Sequence, residues 1–137
     1  MILSKKPAKN TLVLVVDDNK DNLHLIEYVL KTLNLKCYGT NDSKMALDLA
    51  VEKTPKLILL DIVMPYVSGF EVIRQLKSNL FTRNIPVIAV TGLSELYYQS
   101  KIKSAGFEDY ISKPFMLEEL ENKVTKCLDL RSFEAAA

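Results

Sequence analysis

Polar side chains that could carry out chemistry follow apolar runs at four separate points of this sequence. Asp17 and Asp18 follow the first run, Asp61 follows another, Thr91 ends a third and Lys113 comes just after a fourth. If these side chains converge, the carboxylates repel one another, and a bound cation is the natural way to keep them ionised. Oxygen ligands without a His or Cys among them favour Mg²⁺ over a transition metal.

The chemistry that suits this set is the handling of a phosphoryl group. Mg²⁺ usually keeps several waters and takes only one or two carboxylates, which leaves coordination free for phosphate oxygens. Asp61 could be the nucleophile, because an aspartyl carboxylate can carry a phosphoryl group while Mg²⁺ and the Lys113 ammonium offset charge on the equatorial oxygens. Thr91 would supply a hydroxyl to one of those oxygens.

The apolar runs must be parallel strands of one sheet if these residues are to meet. Runs 12–16 and 57–60 are unbroken and stop at a carboxylate, as expected for strands buried on both faces of a parallel sheet. Five strands alternating with five helices in about 120 residues predict an α/β, doubly wound parallel sheet whose ligands sit at the carboxyl ends of the strands. The predicted strands are 12–16, 36–40, 57–60, 86–90 and 109–111, and the predicted helices follow Asn19, cover 43–53, follow Gly69, run from Ser94 to Ala105 and run from about Met116 to Leu128.

The bulk composition indicates one globular domain without a strong electrostatic signature. The chain has 137 residues, of which 48% are hydrophobic and 26% charged, so it should bury a single core. Its formal net charge of +1 gives no footprint for nucleic acid or a membrane surface. No apolar stretch approaches the roughly 20 residues of a membrane span and no signal peptide is evident, so a cytoplasmic location is expected.

Four short motifs combine at the ends of the predicted strands. They are Val16-Asp17-Asp18-Asn19, Leu59-Leu60-Asp61-Ile62-Val63-Met64-Pro65 with Gly69, Val90-Thr91-Gly92 and Ser112-Lys113-Pro114-Phe115. In order and spacing they closely resemble the receiver domains of bacterial-type two-component response regulators. The resemblance covers residues 11–130, with 1–10 as an N-terminal extension and 131–137 as a tail, and implies a flavodoxin-like sheet of order 2-1-3-4-5 with five helices.

The resemblance also implies which residues hold the metal and the phosphoryl group. Asp61 would be the phosphoacceptor and would share in binding Mg²⁺. Asp18 would bind the ion directly and Asp17 largely through water, with the main-chain carbonyl of Val63 as another ligand.

The remaining motif residues would respond to the phosphoryl group. The resemblance implies that Thr91 and Lys113 contact the phosphoryl group. In the family a cis peptide bond before Pro114 aims the Lys inward, and X-Pro bonds tolerate the cis form better than other peptide bonds. Tyr110 matches an aromatic position that changes rotamer as the Thr is drawn inward. Phosphorylation would then shift the balance between two conformations of the face built from the fourth helix, fifth strand and fifth helix.

The resemblance implies a signalling protein rather than an enzyme acting on free substrates. The phosphodonor would be a histidine kinase or a histidine phosphotransfer protein, and a downstream protein would read the switched face. Because no DNA-binding or catalytic segment follows the last predicted helix, we expect output through protein contact, as in single-domain regulators, phosphorelay members or a receiver cut from a hybrid kinase. The expected state is a monomer or weak homodimer.

The sequence departs from many family members at two positions beside the phosphoacceptor. Polar residues are common two places after the acceptor Asp and two after the Thr, where this chain has Val63 and Leu93. Our hypothesis is that these apolar side chains hinder an in-line water, so that self-dephosphorylation is slow for the family.

Three other functions fit parts of the pattern. A Mg²⁺-dependent aspartyl-phosphate phosphatase would use the same chemistry, but its Asp-x-Asp nucleophile motif is not supplied by Asp17-Asp18-Asn19. A nucleotide-binding module would need GxxxxGK[ST] or GxGxxG, and neither occurs among the four glycines. An unphosphorylated scaffold of the same fold would have no use for the intact acidic set.

Several conspicuous residues receive no role in the reaction. His24 lies on the first predicted helix, away from the strand ends, and Cys37 and Cys127 lack metal or disulfide spacing. Tyr97 and Tyr98 could either pack or offer aromatic area to a partner.

Overall fold

The computed structural model describes residues 11–92 and 96–136, and all side chains within them except those of 96–97 and 130–136. Strands and helices alternate along the described chain, as the apolar periodicity predicts. The strands are β1 Leu12–Val16, β2 Lys36–Thr40, β3 Leu57–Leu60, β4 Val87–Thr91 and β5 Asp109–Ser112. The helices are α1 Lys20–Thr32, α2 Ala46–Lys53 preceded by a 3₁₀ turn Ser43–Met45, α3 Gly69–Ser78, α4 Leu96–Ala105 and α5 Leu117–Ala136.

The five strands form one parallel sheet in the order β2-β1-β3-β4-β5. The register places Val16 beside both Thr40 and Leu60, and Thr91 beside Ser112. The last residues of all five strands therefore lie along one edge of the sheet, which we call the carboxyl edge. The predicted doubly wound, flavodoxin-like α/β fold with strand order 2-1-3-4-5 is confirmed.

Each face of the sheet packs against its own set of helices. Along β1, Leu14 and Val16 join the core that contains the inner residues of α2, α3 and α4, whereas Val13 and Val15 join the core shared with α1 and α5. All four side chains are at most 1% exposed. Full burial of such a side chain is worth about 1.5–3 kcal/mol, so the central strands are fixed from both sides.

Local capping explains where the helices begin and end. The predicted cap Asn19 accepts a hydrogen bond from the Asn22 amide over 3.0 Å at the start of α1. Ser68 caps α3 by accepting from the Glu71 amide over 3.3 Å, a cap that the sequence reading did not single out. Gly106, with φ of 107°, follows the end of α4 as predicted. The proposed cap Ser94 lies outside the described residues.

The last helix is longer than the sequence pattern indicates. We expected it to end near Leu128, but α5 continues to Ala136. The prediction failed because it followed the apolar spacing, which fades after Leu128, whereas the backbone needs only residues that tolerate a helix. The segment after Leu128 contains neither Gly nor Pro and ends in alanines, the best helix formers.

No helix within residues 11–92 and 96–136 has the length and hydropathy to cross a membrane.

Candidate functional site

Three carboxylates from two strand ends converge at the carboxyl edge. Asp17 and Asp18 follow β1, and Asp61 follows β3 in the neighbouring position of the sheet. One oxygen atom from each of the three lies within 4.8 Å of the other two. Asp17 and Asp61 are 1% and 5% exposed, whereas Asp18 is open to solvent. The cluster therefore has a buried floor and one accessible side.

Lys113 bridges the two buried carboxylates. Its Nζ lies 3.1 Å from Asp17 Oδ2 and 3.2 Å from Asp61 Oδ2, contacts that join residues 96 and 52 positions apart in the chain. The Lys113 amide donates to the Thr91 carbonyl over 2.7 Å, and the peptide bond to Pro114 is cis. The loop after β5 thus brings the ammonium group onto the acidic cluster.

Main-chain hydrogen bonds fix the acidic residues at the strand ends. The Asp61 amide donates to the Val16 carbonyl over 2.9 Å, which continues the β1–β3 pairing by one step. The Asp61 carboxylate in turn accepts from the Val63 amide over 3.3 Å. The Asp17 carboxylate accepts from the Asn19 amide over 2.9 Å, so each buried carboxylate is oriented by the chain that follows it.

The start of α3 lies directly against the backbone of Asp61. The Gly69 amide donates to the Ile62 carbonyl over 2.7 Å. A Cβ atom at position 69 would lie 2.5 Å from the Asp61 carbonyl oxygen and 2.6 Å from the Ile62 Cα, distances that real Cβ atoms do not reach. Only glycine allows this approach, which gives the Gly of the motif a steric reason.

Burial dominates the titration of Asp61. Removal from water raises the pKa of Asp61 from 3.8 to about 6, the neighbouring Lys113 ammonium opposes the rise, and the Asp17 charge adds to it. The ionised form is therefore costly in the absence of a further cation. The carboxylate is nevertheless ionised in most molecules above pH 6.

The residues present fit a hard divalent cation. All three convergent ligands are carboxylates, no His or Cys belongs to the cluster, and the exposed Asp18 leaves a path for hydrated ions. A cation would also offset the unfavourable ionisation of Asp61. Val63, the fourth expected ligand, follows in the same loop with an exposed side chain.

The two predicted switch residues lie on adjacent strands at the other end of the edge. Thr91 ends β4 and is fully buried, whereas Tyr110 on β5 is half-buried. Lys123 of α5 donates to the Tyr110 carbonyl and to Asp109 Oδ1, the latter over 3.2 Å, and its Nζ lies 5.1 Å from the centre of the Tyr110 ring. The sequence reading did not find Lys123, because its partners are 13 and 14 residues away.

The remaining His, Cys and aromatic residues of interest lie away from the cluster or outside the described residues. His24 is exposed on α1. Cys37 on β2 and Cys127 on α5 are not joined in a disulfide, and burial raises the pKa of the Cys37 thiol to about 12, so it stays protonated. Leu93 and the side chain of Tyr97 fall outside the described residues.

Comparisons with known proteins agree with this geometry. A family model for the response regulator receiver domain matches residues 13–125. The polar-differentiation response regulators DivK of Brucella anthropi and Brucella ovis are each 42% identical over 102 residues, which cover 74% of this chain and 83% of theirs.

Two solved receiver domains share both the fold and more than a quarter of the aligned sequence. The receiver domain of a sensor histidine kinase from Pseudomonas aeruginosa, which has a magnesium ion coordinated in its active site cleft, is 27% identical with a TM-score of 0.80 over 87% of this chain and 98% of its own. A Francisella response regulator receiver domain is 28% identical with a TM-score of 0.81 over 90% and 99%. A family match that spans most of the chain, on a fold with the acidic cluster in place, means that this chain belongs to the response regulator receiver domains of two-component systems.

Proposed function

We propose that Asp61 accepts a phosphoryl group from a phosphohistidine of a histidine kinase or histidine phosphotransfer protein in a Mg²⁺-dependent reaction. The observation that carries the proposal is the set of three carboxylates within 4.8 Å, with the Lys113 ammonium on two of them. Such a set is costly for stability alone, and its residue types match phosphoryl transfer. In this reading the chain is a phosphoprotein and not an enzyme that turns over free substrates.

The transfer is a substitution at phosphorus. An Asp61 carboxylate oxygen forms a bond to phosphorus while the bond from phosphorus to the imidazole nitrogen breaks, and the electron pair of that bond returns to the nitrogen. The products are an aspartyl acyl phosphate and an unmodified histidine. The hydrogen bond from the Val63 amide holds the Asp61 carboxylate in a fixed orientation for this attack.

Asp17, Asp18 and Asp61, with the Val63 carbonyl, would hold Mg²⁺, whose contribution is to neutralise charge on the phosphoryl oxygens. The magnesium ion in the related Pseudomonas aeruginosa receiver supports this assignment. Lys113 is already placed between Asp17 and Asp61 and would donate to a phosphoryl oxygen once one is attached.

Thr91 and Tyr110 would report phosphorylation to the surface. The added charge and acceptor oxygens favour an inward position of the Thr91 hydroxyl, which changes the space available to Tyr110 on the adjacent strand. The face of α4, β5 and α5 would then present a different surface to a downstream protein. In Thr91→Ala the rate of phosphorylation should stay within a few-fold of the wild-type rate. The change in the Tyr110 NMR signals that accompanies phosphorylation should be lost.

The decisive experiment is phosphorylation by acetyl phosphate. With Mg²⁺, the intact mass of the wild type should rise by one phosphoryl group, and peptide mapping after borohydride trapping should place the label on Asp61. Asp61→Asn is the matched control and should stay unlabelled, as should the wild type with EDTA. An unaltered wild-type mass, or a label elsewhere, contradicts the proposal.

Related assays distinguish the receiver from two of its rivals, the phosphatase and the unphosphorylated scaffold. A phosphatase would release phosphate catalytically from a free phosphomonoester, whereas a receiver should show no turnover beyond its own dephosphorylation. A scaffold that is never phosphorylated should show no spectral change on adding Mg²⁺ and beryllofluoride, a phosphoryl mimic. Phosphotransfer profiling against the histidine kinases and phosphotransfer proteins of the source organism would then identify the donor.

The proposal includes a cytoplasmic location and output through protein contact, by a monomer or weak homodimer. It is supported by the near-neutral charge, which offers no general attraction to nucleic acid or membranes.

A further inference from the structure

Exposed apolar side chains occupy loops at the carboxyl edge, where the buried Asp61 also lies, and we call these side chains the rim. Asp61 is only 5% exposed, whereas Val63, Tyr66 and Met116 are 60%, 87% and 74% exposed in the loops that follow β3 and β5. A protein that transfers a phosphoryl group must bring its phosphorus within bonding distance of the Asp61 carboxylate. It therefore has to cover this rim, whereas a small phosphodonor can pass without contacting it.

Tyr66 occupies a backbone conformation that tyrosine disfavours. Its φ is 69°, in the left-handed region, and the other two non-glycine residues with positive φ in the described chain are Asn34 and Thr54. Asparagine and glycine adopt this conformation with less strain. Because the Tyr66 side chain is 87% exposed, it regains almost nothing by burial. Burial therefore gives no reason for a tyrosine at this position.

The loop that presents Tyr66 is held firmly on both sides of the residue. The buried Ser43 hydroxyl donates to the Pro65 carbonyl over 3.1 Å, and the Val67 amide donates to the same carbonyl over 2.9 Å. At the far end of the loop, the Gly69 amide bond to Ile62 fixes the start of α3. The aromatic side chain is thus displayed from a rigid support, which reduces the entropy lost when a partner binds it.

A cation accompanies the ring. The Lys44 ammonium lies 4.8 Å from the centre of the Tyr66 ring, within the range of a cation–π contact. This contact orients the ring and adds a positive charge to the surface that carries it, which favours the approach of a negatively charged phosphorylated protein. Tyrosine is enriched among the residues that anchor protein interfaces.

We infer that Tyr66 is a specificity-determining contact for the protein that delivers the phosphoryl group, an inference that rests on the proposed function. The occupant is a protein surface that carries a phosphohistidine with apolar side chains around it, since the rim also carries the exposed Val63 and Met116. We choose the phosphodonor as the occupant because it is the one partner that must reach the Asp61 carboxylate, which lies at the same edge of the sheet as the rim. A downstream protein that binds the same rim is the competing outcome.

The test compares a protein donor with a small one on the Tyr66→Asn variant. Asparagine suits the left-handed backbone, so the variant should unfold at the same temperature as the wild type or higher. The donor is the phosphorylated kinase domain or phosphotransfer protein that labels the wild type fastest in the profile. We expect its half-saturating concentration to rise about tenfold, with the saturated rate and the acetyl phosphate rate within about twofold of wild type.

Two control variants separate the contact from general surface effects. Phe81→Asn removes another exposed ring, 72% exposed between α3 and β4 at the opposite edge of the sheet, and should change neither donor's kinetics. Tyr66→Phe keeps the ring and should retain most of the protein-donor affinity. Unchanged protein-donor kinetics in Tyr66→Asn overturns the inference, as does an equal fall with both donors or a loss confined to binding of a downstream protein. Failure of acetyl phosphate to label the wild type would instead refute the proposed function.

Discussion

The carboxyl edge of the sheet has two halves that are held in different ways. In the acidic half, at the ends of β1 and β3, main-chain bonds fix the acidic residues, with the Asp61 amide on the Val16 carbonyl and the Asp17 amide on the Thr40 carbonyl. In the half at the ends of β4 and β5, the Lys113 amide likewise bonds the Thr91 carbonyl, but Tyr110 is also held by side-chain contacts with Lys123 that play no part in the acidic cluster. Side-chain contacts exchange by rotamer changes, whereas strand pairing does not. The first half suits a reaction, and the second suits a response to it.

Lys113 links the two halves most directly, because it follows β5 in the chain but contacts the carboxylates of the acidic half. In Lys113→Ala the two buried carboxylates lose their shared ammonium, and a phosphoryl oxygen loses a donor. We expect the beryllofluoride-induced change at Tyr110 to need on the order of 100-fold more ligand. Titration monitored by tyrosine NMR measures this, with circular dichroism as the control for folding. An unchanged titration would show that the two halves are coupled without Lys113.

The cost of the acidic half should be visible as a pH-dependent stability difference. The pKa of Asp61 is raised from 3.8 to about 6, so without metal the folded wild type loses stability as pH rises through this interval. Asp61→Asn has no carboxylate to ionise and should be more stable by about 2–3 kcal/mol at pH 8, with little difference at pH 4. Urea unfolding at both pH values in EDTA measures this. A difference that shrinks as pH rises would have the wrong sign.

The lifetime of the phosphoryl group should depend on the apolar residues beside the acidic half. Val63→Asn combined with Leu93→Glu replaces side chains that we expect to hinder water, and should raise the dephosphorylation rate by on the order of tenfold. The measurement is the decay of phosphoprotein after removal of acetyl phosphate. The hypothesis is wrong if the rate does not change.

The smallest expected effect concerns the responding half. Lys123→Gln removes a partly exposed ion pair with Asp109 and weakens the contacts around Tyr110, at a cost of about 0.5–1 kcal/mol. If Tyr110 is held by Lys123, the tyrosine NMR signals should shift in the unphosphorylated protein while the acetyl phosphate rate stays unchanged. A fall in that rate would mean that the halves are less separate than the contacts indicate.

Local patterns in the sequence predicted most of the fold and the members of the cluster. Apolar runs that stop at a carboxylate mark buried parallel strands, and such strands bring Asp17 and Asp61 to one edge whatever the helices between them contain. The pattern could not predict contacts between distant positions, such as the Ser43 hydroxyl on the Pro65 carbonyl 22 residues away. It also gave no sign of the left-handed backbone at Tyr66, because a tyrosine there opposes the local preference.

The length of α5 was missed for a different reason. Helical periodicity measures which residues pack, so it ends where packing ends, near Leu128, although the backbone hydrogen bonding continues. The residue roles and the boundary at 130 remain predictions.

The double ion pair of Lys113 also bears on the stability of the protein in the absence of magnesium. Its ammonium lies on the two carboxylates that are shut off from water, and so already supplies part of the positive charge that a metal would bring. We therefore expect the fold to persist when a chelator removes Mg²⁺, unlike small zinc proteins, which unfold without their metal. Under the proposed function, low magnesium would then prevent phosphorylation without unfolding the protein, which could accept phosphoryl groups again once the ion returned.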